Sequence, residues 1–160
     1  MNDLAQQRIA PASIRKTIEV RAPIDRAFDV FAGRMGDWWH KEHSIAQGTT
    51  QKDVVVEPRV GGRWFELGAD GSEHQWGRVL AYDPPRRLLL AWQLTREFAY
   101  DPDFETTVEV TFEERDGLTV VHFEHRDLER MGTDAVEMLE GMDGGWGMLL
   151  DLYKVAAERG

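Results

Sequence analysis

Two histidine pairs, one polar cluster and six tryptophans are the residues of this chain with chemistry to offer. His40-Lys41-Glu42-His43 has the i, i+3 spacing that sets two imidazoles side by side on a helix, which is half of a metal site. No third ligand stands at a recognisable spacing, so an exposed loop pair is the simpler reading and no metal is expected. His122-Phe123-Glu124-His125 lies in a strand-like run, where residues three apart point to opposite faces. His125 closes an inward row with Val121 and Phe123 and reads as a hydrogen-bonded histidine at the core edge. Arg63, Glu66, His74 and Arg78 fall on neighbouring strand segments; Arg63, Glu66 and His74 are the side chains from which an acid–base pair acting on an apolar substrate would be drawn. Ion pairing on a solvated outer face is the commoner fate of such residues, and of Glu109, Glu113, Glu114 and Asp116, so no catalytic residue is assigned. Gly61-Gly62 lacks the following Lys-Ser/Thr and the strand-to-helix setting of a phosphate loop. Nucleophile-elbow and serine–lysine patterns are absent.

The aromatic set is more informative. Trp38, Trp39, Trp64, Trp76, Trp92 and Trp146, with Phe112 and Phe123, bring more ring surface than packing one small domain requires, and each indole N–H needs an acceptor. Together with Met138 and Met142 they are the candidate lining of a cavity for an apolar ligand; the competing reading is a filled core with aromatic edges. Alternation turns Leu88, Leu90 and Trp92 inward, and likewise Val108, Val110 and Phe112. Trp64 and Trp76 cannot be sided, because both their strands carry apolar residues on each face.

These side chains must be positioned by a sheet and a few helices. Ile14, Ile18 and Val20 alternate with Arg15, Thr17, Glu19 and Arg21, the period of a half-buried strand, with Lys16 the misfit on the apolar side. Pro23 at a first helical position, Gly33 past the end, and Ile24, Ala27, Phe28 and Phe31 at helical spacing predict a short amphipathic helix. A second short helix and a loop follow around Trp38-Trp39. Strand-forming runs over 54–57, 62–67, 73–82, 88–94, 106–113 and 118–124 are separated by turn signals such as Asp70-Gly71, Asp83-Pro84-Pro85 and Asp116-Gly117. Hairpin-length connections favour an antiparallel sheet of about seven strands. From Met138 onward the period changes: Met142, Trp146, Leu149, Leu150, Tyr153 and Ala157 form the stripe of one long helix. Gly141, Gly144, Gly145 and Gly147 predict a kink or break near Asp143, at about 1 kcal/mol per interior glycine. The aromatic excursion from Glu97 to Phe104 has two readings, a lid over a cavity mouth or rings folded back onto the sheet.

With 160 residues the chain fits one domain, 13–160, behind a polar leader over 1–12. A formal charge of -10 and no basic stripe make nucleic acid an unsuitable partner; a neutral, cationic or apolar one is easier to accommodate. The absence of cysteine removes disulfides, zinc-thiolate sites and thiol nucleophiles. With no signal-like start and no apolar run long enough to span a bilayer, the expectation is a cytoplasmic protein with no membrane insertion.

The order of strand, short helices, antiparallel strands and long C-terminal helix resembles the helix-grip, START-like (SRPBCC) superfamily, an α+β fold. The local patterns resemble its branch of activator of heat-shock protein 90 ATPase homologues. They are Pro23 with Phe28 and Phe31, Trp38-Trp39, the run from Pro58 through Gly61-Gly62 to Trp64, Gly77 to Leu88 with Asp83-Pro84-Pro85, and Gly145-Trp146 with Leu149 and Leu150. The resemblance covers about 14–158. It implies a curved sheet wrapped around the last helix, with a cavity between them for a small hydrophobic ligand, aromatic or lipid-like, and no cofactor. It also carries two other functions, a cyclase- or hydrolase-type enzyme using the same cavity and a protein that stimulates a chaperone ATPase. A chaperone and a second copy of the chain are therefore the further candidate partners.

Overall fold

The computed structural model describes residues 12–132 and 134–159, so nearly all of the expected leader lies outside the described residues. Alternation of apolar and polar side chains builds seven strands: β1 (Ile14–Val20), β2 (Gln51–Val56), β3 (Arg63–Gly68), β4 (Glu73–Asp83), β5 (Arg87–Trp92), β6 (Thr106–Arg115) and β7 (Leu118–Arg126). They form one sheet in the order β1-β7-β6-β5-β4-β3-β2, each neighbouring pair antiparallel. The inward rows are as alternation requires: Leu88, Leu90 and Trp92, Val108, Val110 and Phe112, and Val121, Phe123 and His125 are all buried. Trp64 and Trp76, which the sequence left unsided, both face inward. Extra residues at Lys52 in β2 and at Trp76 and Leu80 in β4 bend these strands and curl the sheet into a half-barrel. At Gly77 the strands come so close that a Cβ would stand 1.7 Å from the Ala91 carbonyl oxygen, so no other residue fits there.

Between the two edge strands the chain crosses through α1 (Ile24–Phe28), a π-helical turn (Asp29–Gly33) and α2 (Met35–Trp38). The single helix expected up to Gly33 is therefore interrupted: the wide π turn puts Val30, Phe31 and Ala32, three successive residues, into the core, which a regular α-helix does not do. A 3-10 turn, Leu128–Met131, leads to α3 (Val136–Glu158), which lies in the concave face of the sheet.

Of the kink or break expected near Asp143, the break does not occur: α3 runs as one helix. Its glycines force nothing apart, since a Cβ at Gly141 or Gly144 would meet no heavy atom within 4 Å. Lys16, the misfit of β1, bonds Asp143 at 2.8 Å and fixes the helix at the very place where the break was expected. Burial of Trp146, Leu149, Leu150, Tyr153 and Ala157 outweighs the weak propensity of the glycine turns. The C-terminal half is clamped: Tyr153 Oη donates to Ala27 O at 2.7 Å, Arg26 Nε to Ala157 O at 2.7 Å, and Lys154 Nζ to Glu19 O at 2.6 Å. Among the described residues no helix is long and apolar enough to cross a membrane.

Candidate functional site

The half of α3 that is not clamped borders a cavity. Trp76 on β4 and Trp92 on β5 point into it from the sheet, Trp39 reaches it from the end of α2, and Met138, Met142 and Trp146 face it from α3. The cavity has a volume of about 420 Å³, within the roughly 300–1,000 Å³ typical of small-molecule sites. One side of its rim is the loop Glu42 to Ile45; the other is Leu94 and Phe98, from the excursion between β5 and β6. Gly141, Gly145 and Leu149 complete the helix side.

Five indoles touch in a closed circuit: Trp39–Trp76 at 4.9 Å between centroids, Trp76–Trp64 at 5.5 Å, Trp64–Trp92 at 5.7 Å, Trp92–Trp146 at 5.8 Å and Trp146–Trp39 at 5.7 Å. Their planes are tilted or edge-to-face, the arrangement aromatic quadrupoles favour. Four of the five border the cavity and Trp64 braces them from behind. Of the ten side chains singled out in the sequence, Trp39, Trp76, Trp92, Met138, Met142 and Trp146 thus come together. The other four pack away from it. Trp38 donates its indole N–H to Val30 O at 2.9 Å and lies against Phe31 and Tyr153. Phe112 packs on Phe28 and Phe31, while Phe123 backs Trp146 at 4.4 Å. The aromatic set is both a core and a wall.

Polar groups hold these walls from outside. Glu66, fully buried, accepts from Ile45 N–H at 3.0 Å, from Trp76 Nε1–H at 3.2 Å and from the Ser44 hydroxyl. One carboxyl group thereby ties the rim loop to a wall indole. Trp39 Nε1 and Gln51 Nε2 both donate to His43 O, at 2.9 and 3.0 Å, and fix the same loop. On the other side Trp146 Nε1, which can only donate, bonds His125 Nδ1 at 3.2 Å. The proton of His125 is therefore on Nε2, which donates to Thr106 Oγ1 at 2.8 Å. Burial holds His125 neutral by lowering its pKa to about 3. The buried indole N–H groups of Trp64 and Trp92 meet no acceptor among the described residues.

The candidate polar cluster does not assemble at the cavity; its arginines take the outer-face ion pairing that the sequence favours. Arg63 faces outward, paired with Glu57 at 3.1 Å and Glu73 at 2.8 Å, its guanidinium 4.3 Å from the Phe65 ring centroid. Arg78 pairs with Glu105 at 2.8 Å. His74 lies opposite Glu66 in the ladder but is bonded to Ser72 at 2.8 Å, beyond the cavity wall. Glu66 itself is engaged with its three donors. The titratable groups on the rim are instead Glu42 and His43. Partial burial and the neighbouring His40 lower the pKa of His43, against an opposing pull from Glu42. Sequence reasoning gave neither His43 nor Gly141 and Gly145 a place on the wall. The glycines carried a signal, because Met138, Gly141, Met142 and Gly145 share one helix face. Among the described residues no three His, Asp or Glu side chains are placed to share a metal ion.

A curled antiparallel sheet gripping one long helix, with an aromatic cavity between them, defines the helix-grip, START-like class. The family described as activator of Hsp90 ATPase homolog 1-like protein matches residues 21–158, and the chain belongs to it. No curated protein sequence matches. Among solved structures the chain is similar to the anthrahydroquino-gamma-pyrone synthase Txn09 complexed with SUM, at 30% identity over 90% of this chain and 98% of that one, with a TM-score of 0.62. It is also similar to CalC of Micromonospora echinospora, a self-sacrificing resistance protein, at 29% identity over 93% and 95% of the two chains and a TM-score of 0.65. The Aha1 dimer of Colwellia psychrerythraea shares the fold at 16% identity over 94% and 98%, with a TM-score of 0.66.

Proposed function

We propose that this protein binds a small hydrophobic molecule, aromatic or lipid-like, in the cavity between the sheet and α3. The observation that carries the reading is the wall: four indoles and two thioethers around about 420 Å³, with the charged side chains confined to the rim. Burial of apolar surface supplies the affinity, at about 25 cal/mol per Å². The nearby indoles also supply the signal. Native mass spectrometry of gently purified protein, followed by tryptophan-fluorescence titration with neutral aromatic and acyl compounds, is the test. A co-purified mass or saturable quenching is expected. No bound mass and no saturable quenching across both compound classes would sink the reading.

Catalysis in the same cavity has one observation in its favour, the synthase named among the solved structures at 30% identity. A cyclase- or hydrolase-type reaction would draw its proton-transfer group from His43 at the rim, since Arg63 and His74 stand clear of the cavity and Glu66 is bonded behind the wall. Turnover of a bound compound that survives His43→Phe would remove this assignment.

A further inference from the structure

Gly141, Gly144, Gly145 and Gly147 are costly to place inside a helix, at about 1 kcal/mol each relative to alanine. Packing excuses little of that cost. Among the described residues a Cβ at Gly141 or Gly144 would meet nothing within 4 Å, and one at Gly145 would meet only His43 Cε1 at 3.6 Å, an ordinary contact. A Cβ at Gly147 would lie 3.8 Å from Lys16 Nζ, again without a clash. The sheet therefore does not require glycine at any of these positions. Two of the four, Gly141 and Gly145, border the cavity. They stand one helical turn apart on the same face, Gly141 exposed at the mouth and Gly145 half-buried behind it. A side chain at Gly141 would enter space that the structure leaves open, and one at Gly145 would enter the cavity beside His43.

We infer that Gly141 and Gly145 determine ligand specificity: their bare backbone forms a flat strip about one helical turn long, on which a planar fused-ring aromatic molecule lies, facing the indoles of Trp76 and Trp92. This rests on the reading of the cavity as a ligand site and narrows its ligand to the fused-ring class. The strip is flanked by Met138 and Met142, whose unbranched thioethers adapt to a ring edge. Opposite it stand rigid indoles locked by neighbours: Trp76 by its bond to Glu66, and Trp146, beside the strip, by its bond to His125. A flat strip facing rigid rings matches a rigid plate. A flexible acyl chain gains no stacking from such walls and loses its rotational freedom on entering.

The experiment compares wild type, Gly145→Ala and Gly145→Leu for binding of 1,4-dihydroxyanthraquinone, 2-naphthol and 1-dodecanol, by calorimetry and tryptophan quenching, with melting temperatures recorded for each protein. Wild type is expected to bind the three-ring probe at least about tenfold more tightly than the alkyl probe, the scale on which apolar pockets discriminate by shape. Gly145→Ala should melt higher than wild type yet bind the three-ring probe several-fold more weakly, and Gly145→Leu should lose it while 2-naphthol changes less than about threefold. A merely structural glycine would not move stability and affinity in opposite directions. Equal affinity for anthraquinone and dodecanol, or three-ring binding unchanged in both variants, overturns the inference while leaving the cavity a ligand site. Absence of saturable binding of all three probes to wild type overturns the ligand reading itself, and this inference with it. Should Gly145→Leu fail to fold, Gly145→Ala alone decides.

Discussion

At the scale of single residues, the site is held by a few buried polar groups whose roles are separable. His125 is neutral in the folded protein, its pKa lowered to about 3, whereas the unfolded chain titrates near 6.5. The unfolded state therefore binds more protons between these values; stability is complete above about pH 6.5 and is lost as pH falls, by about 2 kcal/mol on reaching pH 5. The lowered pKa of His43 adds in the same direction. Urea denaturation at pH 7 and pH 5 should show the loss, and His125→Gln should flatten most of it; the His125 ring signals in NMR should show no titration down to pH 5. A titration midpoint above 6 would contradict the burial argument. Trp64 and Trp76 provide a second comparison. Both are buried indoles in the same circuit, but the Trp76 N–H bonds Glu66 and the Trp64 N–H meets no acceptor among the described residues. Trp76→Phe should therefore cost about 1–3 kcal/mol more than Trp64→Phe, the penalty of leaving a buried carboxyl oxygen short of a donor. Equal costs in chemical denaturation would mean that the bond to Glu66 contributes nothing. Glu66 also shows where the sequence falls short. Its residue type marks it as a candidate acid, and only the closed geometry shows it spent on Ser44, Ile45 and Trp76.

At the scale of elements, strands were legible and exceptions to helical rules were not. Period-two alternation sided β5, β6 and β7 correctly because none of the three carries an extra residue, but β4 carries one at Trp76 and another at Leu80, which local pattern does not contain, so Trp76 could not be sided; β3 has apolar residues on both faces, which leaves Trp64 unsided as well. Propensity alone predicted a kink or break in α3, and tertiary packing with the Lys16–Asp143 contact keeps the helix continuous. Gly144 isolates the propensity term, since it is exposed, clear of neighbours and off the cavity wall. Gly144→Ala should raise stability by about 0.4–1 kcal/mol and leave ligand affinity unchanged; an affinity change would mean that the whole glycine segment acts by flexing. In the excursion from Glu97 to Phe104 the fold-back reading holds for Phe104, and Phe98 is placed where it bears on the lid reading. Leu94 pairs with Tyr100, Phe104 folds back onto the core, and Phe98, half-exposed, stands at the cavity rim with φ 59°. A bulky residue in that left-handed region is strained by about 1–2 kcal/mol. Phe98→Gly should therefore hold or raise the melting temperature while ligand dissociation, followed by stopped-flow fluorescence, becomes faster. Unchanged dissociation would show that the ring does not cover the bound molecule.

At the scale of the molecule, the order of elements pointed to a cavity through its resemblance to the helix-grip fold, in which a curled sheet wraps one long helix. Clamped at one end by Tyr153, Arg26 and Lys154, α3 borders the cavity with its other half, where Gly141 and Gly145 lie on the wall. What the element order could not supply was the division of the aromatic set between wall and core, which depends on how far α3 stands from each strand. Net charge acts on the whole of this arrangement. With a formal charge of -10 and Glu42 on the rim, the field at the mouth opposes anions, while the aromatic wall itself is neutral. A matched pair of probes separates the two effects: 1-anilinonaphthalene-8-sulfonate carries one negative charge, and N-phenyl-1-naphthylamine has the same rings without it. At about 0.01 M salt the Debye length is about 30 Å and the field of the whole surface is felt; at about 1 M it shrinks to about 3 Å and little beyond the rim remains. The affinity of the sulfonate should rise several-fold over that range and rise less in Glu42→Gln. The uncharged amine should gain no more than the small increase that salt gives any apolar burial. If both probes respond to salt alike, the charge of the molecule does not select its ligands, and selection falls to the shape of the aromatic wall alone.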